Sequence, residues 1–144
     1  MKMQFFLPML PPTVTHQEKK IGVRSGKPYV YEDKRLKYAR EKLCAALAPH
    51  KPDKPMTGPL RLLTKWCFPP SPTAKAPESP VYKTTKPDTD NLIKLLKDCM
   101  TSCGYWHDDA QVASEITEKF IIPDKTKSGI YVCVEELSND ESRF

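Results

Sequence analysis

The sequence predicts a fold that combines two α-helices with four β-strands, in the chain order strand, helix, strand, helix, strand, strand. Apolar residues recur at helical spacing in two segments and alternate with polar residues in the strand segments, and prolines or glycines stand near the ends of these segments. Because chains of roughly 100–200 residues usually form one domain, we expect residues 1–144 to form a single domain.

The N-terminal third predicts one strand, one polar segment and one helix. A short strand is predicted over 5–7, and the prolines at 8, 11 and 12 close it. The polar segment 13–30 predicts an exposed loop or a loose hairpin. Apolar residues at helical spacing then predict a helix from Asp33 to about residue 48, where Pro49 ends it.

The middle of the chain is rich in proline, with ten of the fifteen prolines in residues 49–87. Residues 60–68 nevertheless predict a strand, whose core-facing residues are Leu60, Leu62, Thr64, Trp66 and Phe68. Residues 69–86 predict a long loop. Its Lys75, Lys83 and Lys86 are candidate phosphate contacts, although a plain insertion explains the loop equally well.

The C-terminal third predicts a second helix over 89–103, with Gly104 as its C-terminal cap. A strand over 110–122, a turn over 123–129 and a last strand over 130–134 follow. The apolar face expected of the 110–122 strand comprises Val112, Ile116, Phe120 and Ile122. Residues 138–144 are expected to be a frayed tail.

Composition excludes several classes of protein. With 39% hydrophobic and 28% charged residues, the chain fits neither a membrane protein nor a disordered polyelectrolyte, and we expect it in the cytoplasm. It contains no Gly-rich phosphate-binding motif. Its five cysteines lack C-x-x-C spacing, so we expect free thiols in a reducing compartment, with a Cys99–Cys103 redox pair as the alternative.

Charge is unevenly distributed along the chain. Residues 1–87 carry 17 basic and 6 acidic residues, a net charge of +11, whereas residues 88–144 carry 6 and 12, a net charge of −6. A basic half suits a polyanion such as nucleic acid, although an ordinary solvated surface also explains it. Nucleases need both a cationic surface for the DNA backbone and a carboxylate cluster for metal.

Two acidic clusters carry the candidate chemistry: K-P-D-T-D-N-L-I-K at 86–94 and W-H-D-D-A-Q-V at 106–112. Asp88 is placed to cap the second helix, and Asp90 falls in its first turn. At 100° per residue this helix has a polar stripe opposite its apolar face, formed by Asp90, Lys94, Lys97, Asp98 and Thr101. The Asp108-Asp109 pair is expected to begin the following strand.

If the two clusters converge, their carboxylates repel each other. Two unit charges 4 Å apart cost about 1 kcal/mol in water and about 4 kcal/mol at an effective dielectric constant of 20. Protons or cations must therefore neutralise the cluster, and oxygen ligands favour Mg²⁺ or Mn²⁺ over zinc. The alternative is that Asp88 only caps the helix and that Asp108 and Asp109 only form a turn.

The run K-P-D-T-D-N-L-I-K-L-L-K-D, followed by G-Y-W-H-D-D-A-Q-V and Lys119, resembles the RusA family of Holliday junction resolvases. The resemblance covers about 86–122, and more weakly the first strand with its Pro11-Pro12 turn. It implies a small α+β fold with a mixed sheet, which forms a homodimer. It also implies a Mg²⁺-dependent endodeoxyribonuclease of phage or prophage origin that resolves four-way junctions by paired symmetric nicks in DNA recombination and repair.

The same resemblance implies roles for individual residues. It puts metal-binding aspartates at Asp88, Asp90 and Asp109, an essential lysine at Lys94 and a further basic position at Lys119. Asp108 is a weaker ligand candidate. The sequence departs from the family after the Pro-Pro turn, where an Asn is common, and in the length of the 69–86 loop.

Several readings stay open. His107 could act as a base or a ligand, but its place in the family pattern is commonly apolar. Four aromatic residues could stack on unpaired bases: Trp66, Tyr82, Tyr105 and Trp106. For Tyr105 and Trp106, packing of the helix end is the stronger expectation. The main functional alternative is a non-catalytic module that binds branched DNA. A metal-dependent nucleotide transferase and a structural phage protein are the others.

Overall fold

A computed structural model describes residues 1–14 and 19–139 of the chain. Two helices and a mixed five-stranded sheet confirm the α+β class, and a separate two-stranded sheet adds to it. The elements are β1 (Lys2–Pro8), β2 (Lys19–Arg24), β3 (Lys27–Glu32), α1 (Lys34–Leu47), β4 (Leu60–Phe68), β5 (Val81–Tyr82), α2 (Thr89–Cys103), β6 (Val112–Ile121) and β7 (Gly129–Glu136).

The five-stranded sheet has the order β1-β7-β4-β6-β5. Strands β4 and β6 run parallel, whereas the other neighbouring strands are antiparallel. A parallel pair needs a crossover connection, and here the crossover consists of the segment with β5 followed by α2. Helix α2 therefore returns the chain to the start of β6, which brings the two acidic clusters to opposite ends of one helix.

One apolar core joins the two helices to the sheet. Helix α1 buries Leu36, Leu43 and Leu47, and α2 buries its predicted apolar face, including Leu92, Leu95, Leu96 and Cys99. The predicted face of β4 is buried as well, and its Thr64 hydroxyl accepts a hydrogen bond from Trp66 Nε1 at 2.9 Å. Each fully buried Leu stabilises the fold by roughly 1.5–3 kcal/mol.

Two strand predictions need correction. The first strand extends over Lys2–Pro8, because its pairing with β7 continues beyond the apolar residues 5–7. For the polar segment 13–30, the structure confirms the hairpin of the two predicted alternatives: β2 and β3 form it, it continues to Glu32, and Ser25 and Gly26 have positive φ as its two-residue turn requires. Residues 15–18 of that segment lie outside the described residues. The 69–86 loop contains the short edge strand β5, paired with the end of β6.

The predicted face of β6 is also partly wrong. A β-bulge shifts the register between Leu60 and Arg61 of β4, which pair with Val112 and Ser114 and leave Ala113 without a counterpart. The extra residue reverses which side chains face the core, so Ile116 is 47% exposed on the other face of the sheet. Glu115 and Lys119 instead share the face of the buried β4 residues Leu62 and Trp66.

Other boundaries follow the sequence closely. Gly104 ends α2 in the left-handed conformation at φ 91°, as predicted. The five cysteines are free thiols. No helix among the described residues is long and apolar enough to cross a membrane. Of the predicted tail, residues 140–144 lie outside the described residues.

Candidate active site

The start of α2 presents two carboxylates that have no partner among the described residues. Asp88 occupies the N-cap position with an extended backbone, but its side chain makes no capping hydrogen bond. Asp90 lies in the first turn, and both residues are exposed. Neither carboxylate is hydrogen-bonded or ion-paired to a residue that the structure describes. The simple alternative, in which Asp88 serves only as a side-chain cap, is therefore not supported.

Lys119 fixes the segment that leads into Asp88. Its ammonium donates hydrogen bonds to the carbonyl oxygens of Thr85 and Pro87, each at 2.8 Å. The β6 register points this side chain towards the helices, since Lys119 lies opposite Trp66 on the core-facing side of the sheet. Lys119 is therefore bonded to the backbone immediately before the first aspartate.

A second lysine reinforces this positive region. The backbone N–H of Lys83 donates to the Lys119 carbonyl at 2.9 Å, and its Nζ donates to Thr85 Oγ1 at 2.8 Å. Burial, and then the charge of Lys119, lower the pKa of the Lys83 ammonium. Two neighbouring cations thus flank the Asp88 segment, which favours an anionic ligand there.

The polar stripe of α2 runs from these aspartates along β6. Lys94 follows Asp90 by one turn, is exposed, and forms no ion pair with a described residue. Further along, Lys97 forms an ion pair with Glu115 of β6 at 3.0 Å. Lys94 is therefore available to a ligand, whereas Lys97 connects the helix to the sheet.

The second cluster forms a short 3₁₀ turn, Asp109–Gln111, before β6 rather than the start of that strand. The Asp108 carboxylate accepts a hydrogen bond from the Ala110 N–H at 2.8 Å, and the Gln111 amide oxygen accepts from the N–H groups of His107 and Asp108. The Gln111 amide nitrogen donates to the carbonyl oxygens of Met56 and Gly58. Asp108 is thus a structural cap, which supports the alternative reading for this residue.

Asp109 is held at the far end of α2. Its carboxylate accepts hydrogen bonds from the Thr101 hydroxyl and from Trp106 Nε1, the latter at 3.3 Å. Thr101 lies three turns beyond Asp90, about 16 Å along the helix axis. No group of three His, Cys, Asp or Glu residues in the described chain is arranged to hold a metal ion. The expected convergence of Asp88, Asp90 and Asp109 therefore does not occur within one chain.

Some residues near the clusters were missed or only partly understood from the sequence. The D-D-x-Q motif includes Gln111 without indicating its role, although the spacing of Asp108 and Gln111 is that of a capping box. Trp106 and Tyr105 are buried, as expected of residues that pack the helix end, and the Tyr105 hydroxyl donates to the Leu47 carbonyl at 2.6 Å. His107 is exposed, and its backbone N–H is bonded to Gln111.

Exposed carboxylates can hold a metal ion, and neighbouring lysines can bind an anionic substrate. Their combination at the start of α2 is therefore typical of a protein that acts on anionic substrates with the help of a metal ion. A model of the endodeoxyribonuclease RusA family matches residues 10–135. The chain belongs to this family of nucleases.

Two curated relatives are similar to this chain, and the name of the second agrees with the family. The chain is 30% identical over 108 residues to the uncharacterized protein YqaN of Bacillus subtilis (strain 168). This match covers 69% of this chain and 75% of the relative. It is 52% identical over 31 residues to the crossover junction endodeoxyribonuclease rusA of Lactococcus phage r1t, which covers 22% of this chain and 24% of the relative.

Proposed function

We propose that this protein is a Mg²⁺-dependent endodeoxyribonuclease that resolves four-way DNA junctions by paired symmetric nicks. Its membership of the endodeoxyribonuclease RusA family and its similarity to a phage crossover junction endodeoxyribonuclease support this function. The observation that carries the proposal is the pair of exposed carboxylates at the start of α2, which have no partner among the described residues, with Lys83 and Lys119 bonded to the segment directly before them. DNA recombination and repair in a phage or prophage context is the corresponding role.

Each residue at the helix start has a proposed task. Asp88 and Asp90 supply oxygen ligands of the kind that Mg²⁺ prefers, and Mn²⁺ is expected to substitute. A bound divalent ion supplies Lewis-acid stabilisation of the scissile phosphate and a more acidic water. Lys94 contacts a phosphate oxygen as a point charge. Lys119 keeps the Thr85–Pro87 backbone, and with it Asp88, in place.

Homodimer formation offers a way to complete the carboxylate set. Asp109 is the third proposed ligand, but within one chain its bonds to Thr101 and Trp106 keep it at the other end of α2. A symmetric pair of chains could place the Asp109 of one copy beside the Asp88 and Asp90 of the other. Two such sites in a dimer would also provide the paired cuts that a four-way junction requires.

The main alternative is a module that binds branched DNA without cutting it. The absence of a three-residue metal group in the described part of a single chain favours this alternative. It predicts that junction binding survives both EDTA and the substitution Asp90→Asn, and that no nicked product forms. The two functions therefore differ in a direct cleavage assay.

That assay compares a synthetic four-way junction, a linear duplex and a flap, each with and without Mg²⁺. We expect the wild type to nick the junction only with Mg²⁺, and Asp90→Asn to be inactive while it still binds DNA. Asp53→Asn, which removes the same charge from an exposed site elsewhere, is the matched control. Equal cleavage of the linear duplex would instead indicate a general nuclease, and no cleavage of any substrate would favour the binding module.

A mixing experiment tests the shared site. Asp90→Asn and Asp109→Asn are each expected to be inactive alone. In a dimer with shared sites, a mixed pair has one site with both substitutions and one site with none, so mixing restores nicking of one strand. If each chain holds its own complete site, every site in the mixture carries a substitution and the mixture stays inactive.

A further inference from the structure

A cavity of about 800 Å³ lies between the Pro-Pro turn after β1, helix α1 and the segment after β4. Much of its wall is apolar, with Leu10, Pro12, Tyr38, Phe68 and Pro70 among the lining residues. Leu10 and Tyr38 are 56% and 66% exposed, so this apolar surface is open to solvent. The volume is within the range of roughly 300–1,000 Å³ that small-molecule sites occupy. We name it the Tyr38 cavity.

The charged residues around the Tyr38 cavity are basic. Lys34, Lys42 and Lys83 line it, together with Arg35, which is paired with Asp33 at 3.3 Å. None of the described residues that line the cavity is acidic. Lys34 and Lys42 form no ion pair within the described ranges 1–14 and 19–139. The cavity therefore combines an apolar interior with cations that an anionic ligand would neutralise.

Lys83 connects this cavity to the candidate active site. Its side chain lies over the ring of Phe68 in the cavity wall, 5.2 Å from the ring centre, and donates to Thr85 Oγ1. Lys119 bonds to the carbonyl oxygens of Thr85 and Pro87, directly before Asp88. A DNA strand with one phosphate at Asp88 thus has neighbouring nucleotides close to the cavity.

We propose that the Tyr38 cavity binds one unstacked nucleobase of the DNA, while Lys34, Lys42 and Lys83 contact the flanking phosphates. This inference rests on the proposed function and adds a binding site to it. A nucleotide joins a flat base to an anionic backbone, which matches an apolar, aromatic-lined cavity with a basic rim. Bases at a branch point or in single strands leave the stack at a lower cost than paired bases in a duplex.

Charge argues against a second copy of this chain as the occupant. In a symmetric contact through this face, the same surface of both copies would meet, and the basic rim of one would lie against the basic rim of the other. Such like-charge contact is unfavourable, whereas DNA phosphates release counterions when lysines neutralise them. A nucleotide is therefore the occupant that the charges favour.

The test compares two single-stranded oligonucleotides of equal length in EDTA, so that no cleavage occurs. One is oligothymidine, and the other carries abasic sites at every position, so the phosphates are the same and the bases are missing. We expect the wild type to bind oligothymidine about tenfold more tightly. Tyr38→Ala should bring this ratio close to one. The variant should fold normally, because Tyr38 is exposed on a helix and Ala is the best helix former.

Two lysines on α1 provide the matched charge control. Lys42 lines the cavity, whereas Lys37 lies on the same helix but does not. Lys42→Gln should weaken the binding of both oligonucleotides by a similar factor and reduce the salt dependence, by about 0.7 in the slope of log affinity against log salt. Lys37→Gln should bind both oligonucleotides as the wild type does.

Two results would overturn the base site: equal wild-type affinity for the two oligonucleotides, or an unchanged ratio in Tyr38→Ala, whose sedimentation mass is then compared with that of the wild type for a change. Such a change would identify the cavity as a contact between copies. Junction cleavage is measured in parallel with Mg²⁺. Cleavage of the junction without a base preference would contradict only the proposed base site. A base preference without cleavage would contradict only the proposed nuclease function.

Discussion

Aspartates lie at both ends of α2, but their carboxylates differ in hydrogen bonding. At the start of the helix, the carboxylates of Asp88 and Asp90 are exposed and have no partners in the described chain. After the helix, the carboxylates of Asp108 and Asp109 accept hydrogen bonds from backbone and side-chain donors. A carboxylate whose hydrogen bonds are satisfied stabilises a turn, and an unsatisfied one is available to a ligand. The comparison is consistent with the proposed ligand role of the first pair, and it identifies Asp108 as a cap of the turn.

The largest expected effect is on catalysis, from Asp88→Asn. Because Asp88 has no described side-chain partner, the substitution should leave thermal stability within about 0.5 kcal/mol of wild type. Loss of a proposed metal ligand should lower Mg²⁺-dependent junction cleavage by more than about 100-fold, since even outer partners of metal ligands contribute about 10–100-fold. Single-turnover cleavage and thermal unfolding measure the two effects. A large loss of stability with normal cleavage would mean that Asp88 has a structural role and is not a metal ligand.

Lys119→Met should affect both catalysis and stability. It removes two charge-assisted hydrogen bonds to the backbone before Asp88, and only the acceptor at the exposed Thr85 can be fully rehydrated, because Pro87 is buried. We expect cleavage to fall by about 10–100-fold, mainly through a higher Mg²⁺ requirement. Magnesium titrations of the cleavage rate check this. The control is Lys125→Met in the turn before β7, and an equal effect there would exclude a specific role for Lys119.

Gln111→Ala should mainly reduce stability. Its side chain accepts two backbone N–H bonds and donates to two carbonyl oxygens, so removal loses several hydrogen bonds. At about 1 kcal/mol for a typical bond, partly offset by water, we expect a loss of about 2 kcal/mol. Chemical denaturation measures it. Gln111→Glu keeps an acceptor oxygen but places its second carboxylate oxygen against the carbonyl oxygens of Met56 and Gly58, so we expect a loss at least as large as that of Ala. A loss clearly smaller than that of Ala would contradict the importance of the two donor bonds.

The smallest effect is expected from Asp108→Ala. Loss of an N-cap side chain costs about 1 kcal/mol, and less in a turn as short as this one. Cleavage should change by less than about threefold, because the lost hydrogen bond stabilises the turn and does not contact the substrate. For comparison, a tenfold change in rate requires about 1.4 kcal/mol in the activation free energy. Cleavage assays on Asp108→Ala and Asp88→Ala side by side provide the test. Similar losses in both would mean that Asp108 is itself a ligand.

The sequence predicted the local features well because they depend on local physics. Helical periodicity identified α1 and α2, and Gly104 identified the end of α2 by its left-handed backbone. The D-x-D and D-D motifs identified the acidic clusters and the family. The positions of Asp88 and Asp90 at the helix start followed directly from the same periodicity.

The remaining features depend on contacts between distant segments. The bonds of Asp109 to Thr101 and Trp106 depend on where the chain turns after Gly104, which spacing alone leaves open. The same is true of Lys119, whose partners lie on the segment before α2. The exposed position of Ile116 follows from the unpaired residue in β6, because alternation predicts a face only in a strand of unbroken register.

The single unmatched residue near Ala113 has a consequence for how this protein tolerates sequence change. Deleting it would restore regular pairing with β4 without moving the residues after it, because Ser114 and the residues up to Ile121 already pair with 61–68. Ile116 would stay on the outer face, and Lys119 would keep its place beside the Thr85 and Pro87 carbonyls. A one-residue insertion or deletion between Ser114 and Lys119 would instead turn Lys119 to the other face, so length variation among related proteins should be tolerated at Ala113 and excluded between these two residues.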